Sequence, residues 1–193
     1  MTKLEKAIGF AIRAHHGMLR KKENIPYIIH PLEVVTILAG MTDDENVLSA
    51  AVLHDTVEDT NVSLETIGSK FGPRVMELVR SETEDKRKDR PANETWYIRK
   101  KESLDQLRET KDIGIKMLWL SDKLANIRSL HRIWMREGDA MWKGFNQEDP
   151  EKQAWYYRTI AKILEKDLSK YEAWKEYKFL IDMLFQGVPD VQY

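Results

Sequence analysis

Leu53-His54-Asp55-Thr56-Val57-Glu58-Asp59-Thr60 closes a segment in which Val47, Ala50, Ala51 and Leu53 recur at three- and four-residue steps. That period is helical, and Asp43 or Asp44 stands where a side-chain oxygen can cap the first turn. On a continuing helix Glu58 lies one turn after His54 and Asp59 one turn after Asp55, so four titratable groups share one edge. Three carboxylates so close repel one another unless a cation sits among them. The plain alternative is a solvated helix end with acidic decoration.

The same period runs outward in both directions. Upstream, Leu4, Ala7, Ile8, Ala11 and Ile12 mark a helix that stops near Gly17. Arg20-Lys21-Lys22 begins a loop to Pro26, and Pro31 suits the first position of a helix that ends near Gly40. Downstream, Ser63 starts a short helix to Gly68 or Phe71, and Gly72-Pro73 reopens one through Val79. Residues 82–94 are charged, contain Pro91 and have almost nothing apolar, so they read as an exposed loop. Helices resume over 95–107 and 112–136, then briefly over 140–145, then over 151–185 with a break near Ser169. Ile28-Ile29 and Val34-Val35 are too short to argue for a strand. The expected fold class is all-α.

With 193 residues, the chain has the length of one domain and can bury roughly 70% of its unfolded surface. The expected organisation is one domain over 1–193, with a core over about 4–165 and a helical extension over about 166–193. The absence of cysteine excludes disulfides, thiolate catalysis and Cys-ligated zinc or iron–sulfur sites. With 31 Lys+Arg against 32 Asp+Glu, no global field draws in nucleic acid or an anionic membrane surface. Met1-Thr2-Lys3-Leu4-Glu5-Lys6 lacks the apolar stretch of a signal peptide, and no apolar run approaches the roughly 20 residues of a spanning helix. A cytoplasmic protein with no membrane and no nucleic-acid partner is expected.

Asp122 is the second anomaly. It interrupts Met117-Leu118-Trp119-Leu120-Ser121, an apolar helical run where a buried carboxylate needs a partner. Lys123 is next in sequence and points about 100° away round a helix. A metal ion held by His30, His54, Asp55 and Asp122 accounts for all four residues together. Two imidazoles with two carboxylates suit Mn²⁺, Fe²⁺, Co²⁺ or Zn²⁺ better than Mg²⁺. Positions left open on such an ion would admit water and a phosphate oxygen, as hydrolysis requires.

These residues, in this order, resemble the HD-domain metal-dependent phosphohydrolases. Ala14-His15-His16-Gly17-Met18-Leu19-Arg20-Lys21 with Pro26-Tyr27-Ile28-Ile29-His30-Pro31-Leu32, the His54–Thr60 stretch, and Leu120-Ser121-Asp122-Lys123-Leu124-Ala125-Asn126-Ile127-Arg128 narrow the resemblance. They look like the hydrolase domain of the RelA/SpoT homologue family, and the segments after Trp96 look like its small alarmone hydrolases. The resemblance implies an HD-domain helical bundle whose metal, usually Mn²⁺, is bound by His30, His54, Asp55 and Asp122. It implies that Glu58 and Asp59 orient or deprotonate the attacking water. It implies nucleotide contacts for Arg20, Lys21 and Asn126. The implied reaction removes the 3′-pyrophosphate of guanosine tetra- or pentaphosphate, giving GDP or GTP and pyrophosphate.

Two departures bear on this. The loop after Arg20-Lys21 lacks the family's glycine and is one residue longer at 22–25, and Ser121 and Ala125 replace an alanine and a histidine. One rival is an HD phosphohydrolase for another nucleotide, such as a 5′-monophosphate, an adenine alarmone or a dinucleotide phosphate. Another is a nucleotide-sensing module that no longer turns over, against which the intact Glu58 and Asp59 argue. His15, His16 and His131 receive no metal role. Arg99-Lys100-Lys101 reads either as a phosphate contact or as a solvated face. Trp142, Trp155, Tyr156 and Tyr157 read as core or dimer packing, which leaves room for a homo-oligomer.

Overall fold

The structure, a computed structural model, describes residues 1–87 and 89–191; position 88 of the expected loop and the last two residues of the expected extension lie outside them. Among the described residues there are ten α-helices, one 3₁₀ turn and no strand. The helices are α1 (Lys3–Ala14), α2 (Ile29–Leu38), α3 (Glu45–Leu53), α4 (Thr56–Asp59) and α5 (Leu64–Phe71). They continue as α6 (Pro73–Glu82), α7 (Ala92–Glu109), α8 (Ile113–Glu137), α9 (Pro150–Leu168) and α10 (Glu172–Leu184), with the 3₁₀ turn at Gly138–Trp142. The all-α expectation holds.

Local chemistry sets the ends. Thr2 and Glu5 form a reciprocal capping box on α1, and Asp44 accepts from Asn46 N–H to cap α3. Asp112 accepts from Gly114 and Ile115 N–H to start α8, while Arg74 grips the same carboxylate with contacts of 2.5 and 2.9 Å. Ala7 and Ala11 of α1 are fully buried against α3, whose residues from Ser49 to Leu53 are buried without interruption. Helix α8 is the spine of the bundle, touching α2, α3, α6, α9 and α10 and burying Leu118, Leu120, Leu124 and Ile127. The four aromatic residues Trp142, Trp155, Tyr156 and Tyr157 are core: Trp142 stacks on Phe185 with ring centroids 5.8 Å apart, and Tyr177 Oη donates to the Tyr157 carbonyl.

Several sequence expectations need correction. Helix α2 begins at Ile29, so Pro31 is its third residue; its missing N–H still falls among the first-turn donors that have no partner inside the helix. Helix α3 does not run through the acidic motif but ends at Leu53, with His54 and Asp55 in a break before the single turn of α4. Helix α7 starts at Ala92, and the short helix expected over 140–145 is the 3₁₀ turn at Gly138–Trp142, which starts two residues earlier and ends three earlier. The charged segment 83–91 is not simply exposed, because its Glu84 side chain is 12% accessible and lies against α7.

Candidate metal centre and its cavity

Four residues arrive from three parts of the bundle. His30 is the second residue of α2, His54 and Asp55 occupy the break after α3, and Asp122 sits in the middle of α8. His54 Nδ1 lies 2.8 Å from the Ala51 carbonyl, so that nitrogen carries a hydrogen and Nε2 is the one turned toward the aspartates. His54 Nε2 is buried and makes no hydrogen bond among the described residues, yet lies 3.1 Å from Asp55 Oδ2 and 3.5 Å from Asp122 Oδ1. His30 Nε2 is 3.0 Å from Asp122 Oδ1 and 3.4 Å from Asp55 Oδ2. Ligands bound at about 2.1 Å sit about 3.0 Å apart on an octahedron and about 3.4 Å apart on a tetrahedron, so the grouping of His30, His54 and Asp122 fits one divalent metal ion, with Asp55 Oδ2 beside both histidines. His30, His54 and Asp122 are buried, and their ligand atoms lie within 4.8 Å of one another. Asp55 is 19% accessible, and its Oδ2, the oxygen that faces both histidines, accepts from Tyr27 Oη–H at 2.6 Å.

Charge explains why these groups need a cation. Burial alone would strip charge from His54, but Asp55 and Asp122 overcome it and hold the imidazolium well above its ordinary range. Burial likewise opposes the two aspartates; His54 and His30 hold Asp55 far below the carboxylate range, and Lys123 with the same histidines does so for Asp122.

The break after α3 also aims the acidic pair. Glu58 and Asp59, on the one turn of α4, are reached by the segment that follows α6. Glu84 N–H donates to Glu58 Oε2 at 3.1 Å, and Lys86 Nζ lies 3.3 Å from Glu58 Oε1 and bonds Asp59. Burial and the neighbouring Asp55 raise the Glu58 carboxyl above its usual range, the direction a general base near neutrality needs. Glu84 anchors the strap on α7 through Arg99 at 2.8 Å, Lys100 at 2.7 Å and Ser103 at 3.1 Å.

Arg20 and Asn126 are joined to the centre in series. Asn126 Nδ2 donates to Asp122 Oδ1 at 2.8 Å, and its Oδ1 accepts from Arg20 Nη2 at 3.1 Å. Lys21 lies beyond, lining a cavity of about 280 Å³ with Lys100, Lys123, Asn126 and Tyr156. The loop carrying Arg20 and Lys21 is clipped to the far half of α8. Glu23 accepts from Ser129 Oγ at 2.6 Å and from Arg132, Arg136 donates to the Lys22 carbonyl, and Lys22 Nζ donates to the Met141 carbonyl. Lys22 and Asn24 take left-handed backbone angles, φ 65° and 53°, where the family's loop carries a glycine.

Sequence reasoning missed four residues here. Lys123 does meet Asp122, Nζ to Oδ2 at 2.5 Å, because its flexible stem curls back round the helix. Tyr27, Lys86 and Glu82 carried no signal beyond ordinary composition. Of the 99–101 run, Arg99 and Lys100 both line the cavity and both pair with Glu84, Arg99 from a buried position. His15 caps the end of α1 and stacks on Tyr27 at 4.9 Å, outside the ligand set.

The family model described as HD domain matches residues 7–145. The guanosine-3′,5′-bis(diphosphate) 3′-pyrophosphohydrolase MESH1 of Homo sapiens is 42% identical over 135 residues, 68% of this chain and 71% of that protein. The GTP pyrophosphokinase rsh of Brucella abortus (strain 2308) is 35% identical over 127 residues, 66% of this chain but 17% of that longer protein. Among solved structures, a metazoan ortholog of SpoT, reported to hydrolyze ppGpp and to play a role in starvation responses, aligns at TM-score 0.73 with 26% identity. That alignment covers 99% of this chain and 98% of the other. Protein lmo0812 from Listeria monocytogenes EGD-e aligns at TM-score 0.72 with 32% identity, covering 87% and 99%.

Proposed function

Because the chain belongs to the HD domain family, we propose that it is a metal-dependent guanosine-3′,5′-bis(diphosphate) 3′-pyrophosphohydrolase, acting in the cytoplasm as one hydrolase domain. The observation that carries this reading is the joining of the donor set His30, His54, Asp55 and Asp122 to an acidic pair on one side and a lysine-lined cavity on the other. Human MESH1, named for this reaction, is the relative that supports the substrate.

The four residues hold a divalent cation, with Mn²⁺ the proposed occupant. Bound there, such an ion lowers the pKa of a water molecule from about 15.7 toward 7 and draws charge from a phosphoryl oxygen. Glu58, with its raised carboxyl, accepts the water proton while Lys86, itself paired with Asp59, holds the Glu58 Oε1 edge in place. The water oxygen forms a bond to the phosphorus nearest the ribose, and the bond from that phosphorus to O3′ breaks. Pyrophosphate leaves with the water oxygen, and O3′ gains a proton to become the hydroxyl of GDP. Lys123 and Lys100 balance the charge that grows on the phosphoryl oxygens. Arg20, Lys21 and Asn126 bind the nucleotide, with Asn126 tying that contact directly to Asp122.

Purified protein with Mn²⁺ and a panel of phosphorylated nucleotides, with products resolved by anion exchange, tests the assignment. GDP and intact pyrophosphate from the tetraphosphate are expected. Turnover of 5′-monophosphates alone would replace this reading with a general nucleotide phosphohydrolase, and binding without turnover would make the protein a sensor.

A further inference from the structure

Glu82 is the buried acid that the mechanism above does not use. It ends α6 with its side chain 3% accessible, and its Oε1 has no hydrogen-bond partner among the described residues. Its Oε2 lies 3.8 Å from Lys123 Nζ. Lys123 itself is held between three groups: Asp122 Oδ2 at 2.5 Å, Glu82, and the face of Trp119 with its centroid 4.8 Å away. It also lines the cavity beside the metal centre.

These positions create a conflict when the site is loaded. A divalent ion and the Lys123 ammonium both draw on the Asp122 carboxylate. An ammonium that keeps its place beside a metal-bound carboxylate, in a buried setting, loses most of its counter-charge. A second carboxyl within reach, with an oxygen that nothing satisfies, removes the conflict. We propose that Glu82 is a positioning residue: it takes over Lys123 as counter-ion when the metal claims Asp122, and so keeps that ammonium on the cavity wall. The proposal rests on the metal-centre reading above. Burial pushes the Glu82 carboxyl up to about 8, against the pull of Lys123, as befits an acid waiting for its cation.

Titration of chelator-stripped protein with Mn²⁺ alone, followed by calorimetry, tests this without turnover. Glu82→Gln keeps the size and polarity of the side chain but cannot carry the charge. It is expected to weaken Mn²⁺ binding about tenfold, with far-ultraviolet circular dichroism unchanged. Lys123→Gln removes the cation to be rehoused, so adding Glu82→Gln to it should change the affinity less than about twofold. Glu82→Asp, which keeps the charge, should recover part of the loss. Equal losses with and without Lys123, or wild-type affinity in a folded Glu82→Gln protein, overturn the counter-ion role while leaving the metal centre standing. A wild-type protein that takes up no divalent ion overturns both.

Discussion

The two sides of the site are built by different forces. On the metal side, His30 on α2, His54 in the break after α3 and Asp122 on α8 are buried, with fully buried residues such as Leu53, Leu120 and Leu124 close by in the chain. Core packing places them, so their geometry depends on close-packed apolar side chains. On the mouth side, polar contacts hold Glu84 and Lys86, just after α6, and the loop around Arg20. These contacts are ion pairs and hydrogen bonds made by Glu84, Lys86 and Glu23. Packing therefore fixes the reactive groups, and charge fixes what surrounds them.

Substitutions rank the two sides. Asp122→Ala removes a proposed ligand from the packed side and leaves Lys123 beside a vacancy; activity is expected to fall about 10⁴-fold or more, with metal content by elemental analysis falling with it. Glu58→Gln, at the junction of the sides, should keep the metal while slowing turnover about 10²–10⁴-fold. A wild-type rate would reduce the acidic pair to decoration. On the charged side, burial opposes the Glu84 carboxylate, yet Lys100, Lys123 and Arg99 hold its pKa at about 2. A folded value below the unfolded 4.5 contributes stability at neutral pH, and that stability drains as pH falls from 4.5 toward 2. Glu84→Gln should cost up to about 3 kcal/mol in neutral urea melts and flatten the acid limb over that interval.

Smaller effects probe the nucleotide contacts. Arg20→Ala or Asn126→Ala should raise KM about tenfold with metal content unchanged, since each loses one charge-assisted contact in the series leading to Asp122. A fall in kcat without a rise in KM would assign the pair to chemistry instead. The smallest change is Lys178→Ala, which breaks an exposed pair with Asp182 on α10 and should shift stability by less than about 0.5 kcal/mol. A larger shift would contradict the division between packed and charged regions.

The same division decides what the sequence disclosed. Periodicity in α1, α3 and α8 exposed the all-α bundle, and Asp122 stood out because nothing apolar could serve its carboxylate. The break at His54-Asp55 was hidden, since Leu53-His54-Asp55-Thr56-Val57 contains neither glycine nor proline. Lys123 was set aside on helical angles that a four-carbon stem need not obey. Segment 83–91 has the composition of a solvated loop, and it is two cations and one hydroxyl on α7 that make a docking point for Glu84. Glu82 looked like the start of that loop because burial of a helix-end acid leaves no mark in composition.

The clips on the Arg20 loop bear on how this enzyme could be re-engineered. Glu23 is tied to Ser129 and Arg132, the Lys22 carbonyl to Arg136, and the Lys22 ammonium to Met141. All four partners lie more than a hundred residues downstream. The loop is consequently not a portable cassette. A graft of residues 20–25 into another scaffold would carry the side chains proposed to bind the nucleotide but leave behind the fasteners that hold them, so a redesign of that loop would have to work across both ends of the chain at once.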